Sequence, residues 1–119
     1  MADLQKLQAL GIDTEEGLIY CAEDPDFYGE MLLEFAAGAQ AGIEELERFF
    51  TAQAWDRYQI RAHSIKSTSR MIGAQALSVQ AHSLELAAKE GDADAILSAH
   101  SPFVRAYQAL TEGIRECFD

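Results

Sequence analysis

The stretch DPDFYGEMLLEFAAGAQAGIEELERFFT, residues 24–51, decides the fold. Asp24 followed by Pro25 is a helix start, because the aspartate can accept hydrogen bonds from free N–H groups and proline suits the first helical position. Apolar or small residues then recur in steps of three and four, at Phe27, Met31, Phe35, Ala39, Gly42, Leu46 and Phe49. The pattern predicts one long bundle helix that ends near Thr51.

The same signals predict helices on both sides of this stretch. Before it we expect two short ones, over Leu4–Leu10 and after the capping residue Asp13. After it we expect three longer ones: Trp55 to Ile72 with Gly73 as the stop, Ala74 or Gln75 to Glu90, and a last helix capped by Asp92. Pro102 falls inside the last helix, so it should kink that helix or split it near Ser101.

Together these elements predict an all-α protein. Long helices joined by short turns imply an up-down-up-down four-helix bundle, with one or two short extra N-terminal helices laid against one end. With 119 residues and 13.1 kDa, the chain suits a single domain over residues 1–119.

Composition limits the function. The chain has 20 Asp and Glu against 9 Lys and Arg, a formal charge of −11, which argues against nucleic acid and against an anionic membrane surface. No apolar run approaches the roughly 20 residues that span a bilayer, and no basic start with an apolar run opens the chain. We therefore expect a cytoplasmic protein, and a monomer.

One part of this acidic chain carries no acid. Between Asp56 and Glu85 there is no Asp or Glu, whereas four of the nine basic residues and two of the three histidines lie there: Arg57, Arg61, Lys66, Arg70, His63 and His82. A site that binds an anion requires a local surface without negative charge, so this window is a candidate for such a site.

His63 is the residue in this window that suggests chemistry. In helical projection, the core-facing side of the helix predicted from Trp55 to Ile72 lies opposite His63. Four other residues fall within about 60° of His63 on the outer face: Gln59, Lys66, Ser67 and Arg70. A neutral imidazole is nucleophilic at neutral pH, and nearby cations can meet phosphoryl oxygens. The face therefore suits a phosphoryl acceptor.

The residues around His63 also resemble a known family. AHSIKSTSRMIGA, residues 62–74, is similar to the histidine phosphotransfer (HPt) signature, commonly A-H-x-L-K-G-x-x-x-x-x-G-A. LELAAKEGD, residues 84–92, resembles the family's L-E-x-A-x-x-x-G-D, and residues 24–35 are similar to its second-helix opening. Ser67 stands at a position where the signature commonly has glycine. Because serine is larger, the geometry by which a partner docks here can differ from that of the family.

The resemblance implies a role for each matching residue. His63 would be phosphorylated, Lys66 would be its charge partner, and Glu85 would accept a hydrogen bond from the second ring nitrogen. His82 matches a histidine in the phosphotransfer domains of chemotaxis kinases. Receiver docking would involve the residues around the histidine: Gln59, Ile60, Ser64, Ser67, Arg70 and His82.

The resemblance also implies partners. They would be response-regulator receiver domains, a hybrid sensor histidine kinase, or both. The chain itself would need no cofactor, because Mg²⁺ would be held by the receiver. The sequence has no Gly-rich phosphate loop, so we expect a phosphoryl carrier and not a kinase.

Two other interpretations stay open at the level of sequence. A metal-binding bundle would use His63, His82, Glu85 and His100 as ligands, although an outward His63 and the lack of further carboxylates in the window disfavour it. A helical interaction module would dock a partner on the same face without chemistry.

Overall fold

The computed structural model describes residues 2–118, which form six α-helices and no strand. This confirms the predicted all-α class, with two short helices before four long ones. Their bounds are α1 Leu4–Ala9, α2 Thr14–Tyr20, α3 Pro25–Thr51, α4 Trp55–Met71, α5 Gln75–Lys89 and α6 Ala93–Glu116. None of these helices is both long enough and apolar enough to cross a membrane.

The four long helices form a closed bundle. Each packs against two others, in the order α3, α4, α5, α6 and back to α3. The connections are three residues each, 52–54, 72–74 and 90–92, so consecutive helices must be antiparallel neighbours. The short α2 packs on α3 and α4, and α1 packs on α2.

Aspartates cap the helices where the sequence predicts them. Asp13, Asp24 and Asp92 each accept hydrogen bonds from backbone N–H groups at the start of α2, α3 and α6. Asp3 does the same for α1. By contrast α4 and α5 start without a side-chain cap, so tertiary packing and not local capping must hold their first turns in place.

Gly73 ends α4 and also fixes the position of α2. Its φ of +86° lies in the left-handed region, as expected of a C′ glycine, and Ala74 N–H donates to the Ser69 carbonyl at 2.8 Å. The Gly73 carbonyl in turn accepts from Asp13 N–H at 2.8 Å. A Cβ atom at Gly73 would collide with the Asp13 carbonyl oxygen, so only glycine permits this close approach.

The packing face of α3 is rotated from the predicted stripe. Phe35, Ala39, Gly42 and Leu46 are buried as expected, but Phe27 is 39% exposed, and Met31 and Phe49 are only partly buried. Tyr28, Leu32, Ala36 and Ile43 complete the buried face instead. The stripe prediction was therefore wrong at its ends, because α3 contacts α2, α4 and α6 and buries a face wider than one row of residues.

Of the two effects predicted for Pro102, a kink or a split near Ser101, the split does not occur. Helix α6 is continuous from Ala93 to Glu116 and includes Pro102. Proline cannot donate to the carbonyl of Ser98, but both residues are exposed, so water can replace the missing donor.

His100 joins three helices inside the bundle and is only 1% exposed. Its Nδ1 lies 2.8 Å from the Tyr58 hydroxyl, its Nε2 lies 3.0 Å from Glu47 Oε1, and its ring stacks on Phe50 with centroids 3.9 Å apart. Burial raises the pKa of Tyr58, so its O–H stays protonated and can donate to Nδ1 while Nε2–H donates to Glu47. Both ring nitrogens are thereby satisfied.

We predict that Tyr58→Phe lowers the free energy of unfolding by about 1–2 kcal/mol, because it leaves Nδ1 of the buried His100 without a donor. Urea denaturation monitored by circular dichroism measures this loss. Tyr107→Phe is the matched control: Tyr107 is also buried, but its hydroxyl makes no hydrogen bond within residues 2–118, so we expect a change below about 0.5 kcal/mol. Equal losses in the two variants would contradict the proposed role of the His100 network.

Candidate functional site

His63 lies on the outer side of α4, with 58% of its side chain exposed. Its Nδ1 is 2.6 Å from Oε2 of Glu85, which projects from the neighbouring helix α5. Nε2 makes no hydrogen bond to any residue from 2 to 118. Because a carboxylate only accepts, the contact selects the tautomer with the proton on Nδ1 and leaves a lone pair on Nε2.

Glu85 binds a second residue of α4 with its other oxygen. Lys66 Nζ lies 2.7 Å from Glu85 Oε1, so one carboxylate holds both the imidazole and an ammonium group. Only 14% of the Glu85 side chain and 25% of the Lys66 side chain are exposed, whereas His63 is open to solvent. His82 Nδ1 lies 3.5 Å from the same Oε1, at the edge of this group.

The pKa of Glu85 reflects these partners. Partial burial by itself raises the pKa, but the hydrogen bonds and charges of Lys66 and His63 outweigh burial and bring it below its ordinary value. The ionised carboxylate therefore stabilises the fold above the ordinary pKa of glutamate, and this contribution is lost as the pH falls through the lowered pKa.

The α4–α5 seam explains why the three side chains meet. His63 and Lys66 are one turn apart on α4, so their side chains share one face. The Ser78 hydroxyl donates to the Lys66 carbonyl oxygen at 3.0 Å, which ties α5 to α4 near the site. Leu84, next to Glu85, is buried and holds this part of α5 against the core.

Arg70 is held by a residue that sequence reasoning missed. Its Nε donates to the hydroxyl of Tyr20, on α2, at 3.1 Å. Lys66, Arg70 and His82 line one shallow groove between α4 and α5. No local pattern indicated Tyr20, because its contact with Arg70 depends on how α2 packs against α4.

The other predicted site residues occupy different surroundings. Ile60 is 70% exposed and Ser67 is exposed, both on the side of α4 that carries His63, while Gln59 is half-buried. Ser64 is half-buried and lines a groove between α3 and α4, on the other side of the helix. The structure therefore does not bring Ser64 beside the imidazole.

Three exposed apolar side chains lie on the two helices that carry the site, and two of them are on α5. Ile60 on α4 and Val79 on α5 are 70% and 65% exposed, and Leu86, next to Glu85, is 42% exposed. Exposed aliphatic residues around a reactive group are typical of a surface that another protein covers. Sequence reasoning identified Ile60 but not Val79 or Leu86, since exposure on α5 depends on its rotation in the bundle.

The metal-binding interpretation does not match the geometry. His100 is held in the core by Tyr58 and Glu47 and does not join His63, His82 and Glu85. Within the described residues 2–118, no group of three or more His, Cys, Asp or Glu side chains is arranged to hold a metal ion. What the site offers instead is an exposed nitrogen nucleophile with a fixed tautomer and a nearby cation.

Comparison with protein-family models finds a match to the family described as Hpt domain, over residues 30–116. The matched range includes α4 and α5 and therefore His63, Lys66 and Glu85. Comparison with curated proteins and with solved structures finds no match.

We predict that Glu85→Ala removes the tautomer preference of His63. With Glu85 present, a charge-assisted hydrogen bond should favour the Nδ1–H form by roughly tenfold, and the variant should lose that factor. The ¹⁵N chemical shifts of the neutral imidazole report the ratio. His100 serves as the internal reference, and Glu112→Ala, on the exposed side of α6, is the control variant. An unchanged ratio at His63 would show that Glu85 does not orient the ring.

Proposed function

This chain belongs to the Hpt domain family, the histidine phosphotransfer modules of two-component signalling, and we propose that His63 is its phosphorylated residue. The chain accepts a phosphoryl group from the aspartate of a receiver domain, or from a sensor kinase, and passes it to another receiver. The single observation that supports this assignment is the free, exposed Nε2 of a ring whose Nδ1 lies 2.6 Å from Glu85.

In the proposed step, the Nε2 lone pair attacks the phosphorus of the receiver's aspartyl phosphate. A P–N bond forms, the P–O bond to the aspartate breaks, and the receiver's carboxylate leaves with the bonding electron pair. The proton stays on Nδ1, so the phosphorylated ring carries positive charge. The Glu85 carboxylate stabilises this charge because it already faces that nitrogen, and no group has to reorganise.

Lys66 provides the positive charge on the same side of α4. Its ammonium is held by Glu85, yet a quarter of its side chain remains exposed, so it can also face an incoming phosphoryl group. Positive charge near the three equatorial oxygens stabilises the loose transition state of phosphoryl transfer. The same charge offsets the repulsion between the phosphoryl group and the Glu85 carboxylate.

The remaining parts of the reaction belong to the partner. The receiver supplies the acyl phosphate and holds Mg²⁺, and this chain acts as a cytoplasmic, monomeric carrier without a cofactor. The exposed aliphatic residues Ile60, Val79 and Leu86 support docking of another protein over His63. Arg70 and His82 line the groove beside Lys66 and would contact the acidic surroundings of the receiver's aspartate.

We predict that His63→Gln abolishes phosphoryl uptake. Receiver domains from the same organism are phosphorylated on aspartate with acetyl phosphate, freed of the donor and mixed with this protein. Wild type should gain a label that is stable to base and labile to acid, and His63→Gln should gain none. His82→Gln, which removes the neighbouring exposed histidine, should still be labelled. Equal labelling of His63→Gln, or no labelling of wild type by any receiver, would leave a non-catalytic interaction module as the better interpretation.

We further predict that Lys66→Ala slows transfer by roughly ten- to hundredfold, the factor expected for one charge-assisted contact in the transition state. Rapid-quench kinetics with a receiver that labels wild type measures the rate, and thermal unfolding verifies that the bundle stays folded. Lys89→Ala, at the exposed end of α5, is the control and should transfer at the wild-type rate. An unchanged rate in Lys66→Ala would show that this ammonium serves only the ion pair with Glu85.

A further inference from the structure

A second groove lies on the opposite seam of α4, between α4 and α3. Its volume is about 260 Å³, and apolar side chains form its walls: Met31, Phe35, Ile65 and Met71. For scale, an engineered apolar cavity of about 150 Å³ holds one benzene molecule. The groove therefore has room for a six-membered ring and several further atoms.

Two glycines of α3 leave this space open. Gly38 and Gly42 both line the groove, one helical turn apart. A Cβ atom at Gly38 would meet no atom within 4 Å, and one at Gly42 would only touch Tyr107 Oη at 3.7 Å. Alanine would fit at both positions and is the better helix former, so the packing of the bundle gives no reason for glycine here.

Tyr107 places an unpartnered hydroxyl on the floor of the groove. The residue is only 4% exposed, and it lines the groove next to Gly42. Its hydroxyl makes no hydrogen bond within residues 2–118, whereas the buried Tyr28 donates to the Ile72 carbonyl and Tyr58 bonds with His100. The Tyr107 oxygen is not among the fully enclosed side-chain atoms that lack a partner, so it reaches the open space of the groove and is free to bond to a molecule that enters there.

Arg61 adds positive charge to the same wall. One terminal nitrogen pairs with Glu45 at 2.6 Å, while its Nε is buried and has no hydrogen-bond partner in the described part of the chain. Burial raises the pKa of Tyr107, and the charge of Arg61 acts in the opposite direction, as expected if the guanidinium lies close to the phenol. The groove thus combines apolar walls, one phenolic hydroxyl and one guanidinium.

We propose that this groove is a binding site for a small organic monocarboxylate with an apolar body about the size of one ring. The carboxylate would accept the Tyr107 hydroxyl proton and face the Arg61 charge, and the ring would lie between Met31, Phe35 and Met71. Glu34 also lines the groove and would repel a second negative charge, so a monoanion suits the site and a dianion does not.

This site is separate from the proposed phosphoryl acceptor. His63 and Glu85 meet at the seam of α4 with α5, whereas the groove lies at the seam of α4 with α3. Ligand binding and phosphoryl uptake therefore test different residues, and failure of one does not imply failure of the other.

Phenylacetate is the probe, because it joins one ring to one carboxylate. Titrated into the ¹⁵N-labelled protein, it should shift the amide signals of Gly38 and Gly42 saturably, with a millimolar dissociation constant typical of a ligand with about ten non-hydrogen atoms. Tyr107→Phe should weaken binding roughly fivefold through the lost hydrogen bond. Gly38→Leu should abolish binding, because its side chain would fill the groove.

Two controls make the result specific. Ala41→Leu adds the same side chain to an exposed position of α3 outside the groove and should bind phenylacetate like wild type. Phenylacetamide, which has the same shape without the charge, should bind roughly tenfold more weakly. The proposal is overturned if phenylacetate causes no saturable shift at Gly38 and Gly42, if Tyr107→Phe and Gly38→Leu bind it like wild type, or if the amide binds equally well.

Discussion

The site depends on one carboxylate shared between two side chains of the adjacent helix. Glu85 is mostly buried at the α4–α5 seam, where a lone negative charge would be unfavourable, and it is stabilised because His63 and Lys66 both bind it. Each partner is fixed by the same contact: the imidazole in one tautomer, the ammonium beside it. Apart from Asp56 in its first turn, α4 has no carboxylate, and α5 has only Glu85, so neither helix offers Lys66 and His63 a competing partner near the site.

The rest of the bundle holds α4 and α5 at the distance that this contact needs. Gly73 allows the turn between the two helices to pass against Asp13, which locks one end, and Ser78 ties the helices together near Lys66. On the inner side of α4, Tyr58 connects through His100 to Glu47 on α3. His63 thus lies on a helix that is held at its end, its flank and its core face.

Sequence reasoning predicts what depends on periodicity and local chemistry. Helix bounds near Asp24, Gly73 and Asp92, and an outward His63, follow from caps, glycine and the 100° step of the helix. The pairing of Lys66 with Glu85, the bond from Arg70 to Tyr20 and the exposure of Val79 depend on the rotation and depth of each helix in the bundle. Tertiary packing sets the rotation and depth of each helix, so the sequence of one helix alone does not predict them. The continuity of α6 through Pro102 has a similar origin, because exposure to water decides whether a lost backbone hydrogen bond breaks a helix.

The two interfaces of α4, one with α5 and one with α3, differ in which polar groups have hydrogen-bond partners. This difference bears on what each interface can do. At the α5 seam, Nδ1 of His63 bonds to Glu85 Oε2, and Glu85 Oε1 lies at ion-pair distance from the Lys66 ammonium without the geometry of a hydrogen bond. Nε2 of His63 makes no hydrogen bond within residues 2–118. At the α3 seam two donors lack partners within residues 2–118: Arg61 Nε, which is buried, and the Tyr107 hydroxyl, which faces the open groove. A preorganised site for group transfer needs the first arrangement, since any unsatisfied neighbour would compete for the ring nitrogen. The second arrangement leaves the buried Arg61 Nε unpaired at a cost in stability, whereas the Tyr107 hydroxyl is open to the groove and free to bond to a ligand there.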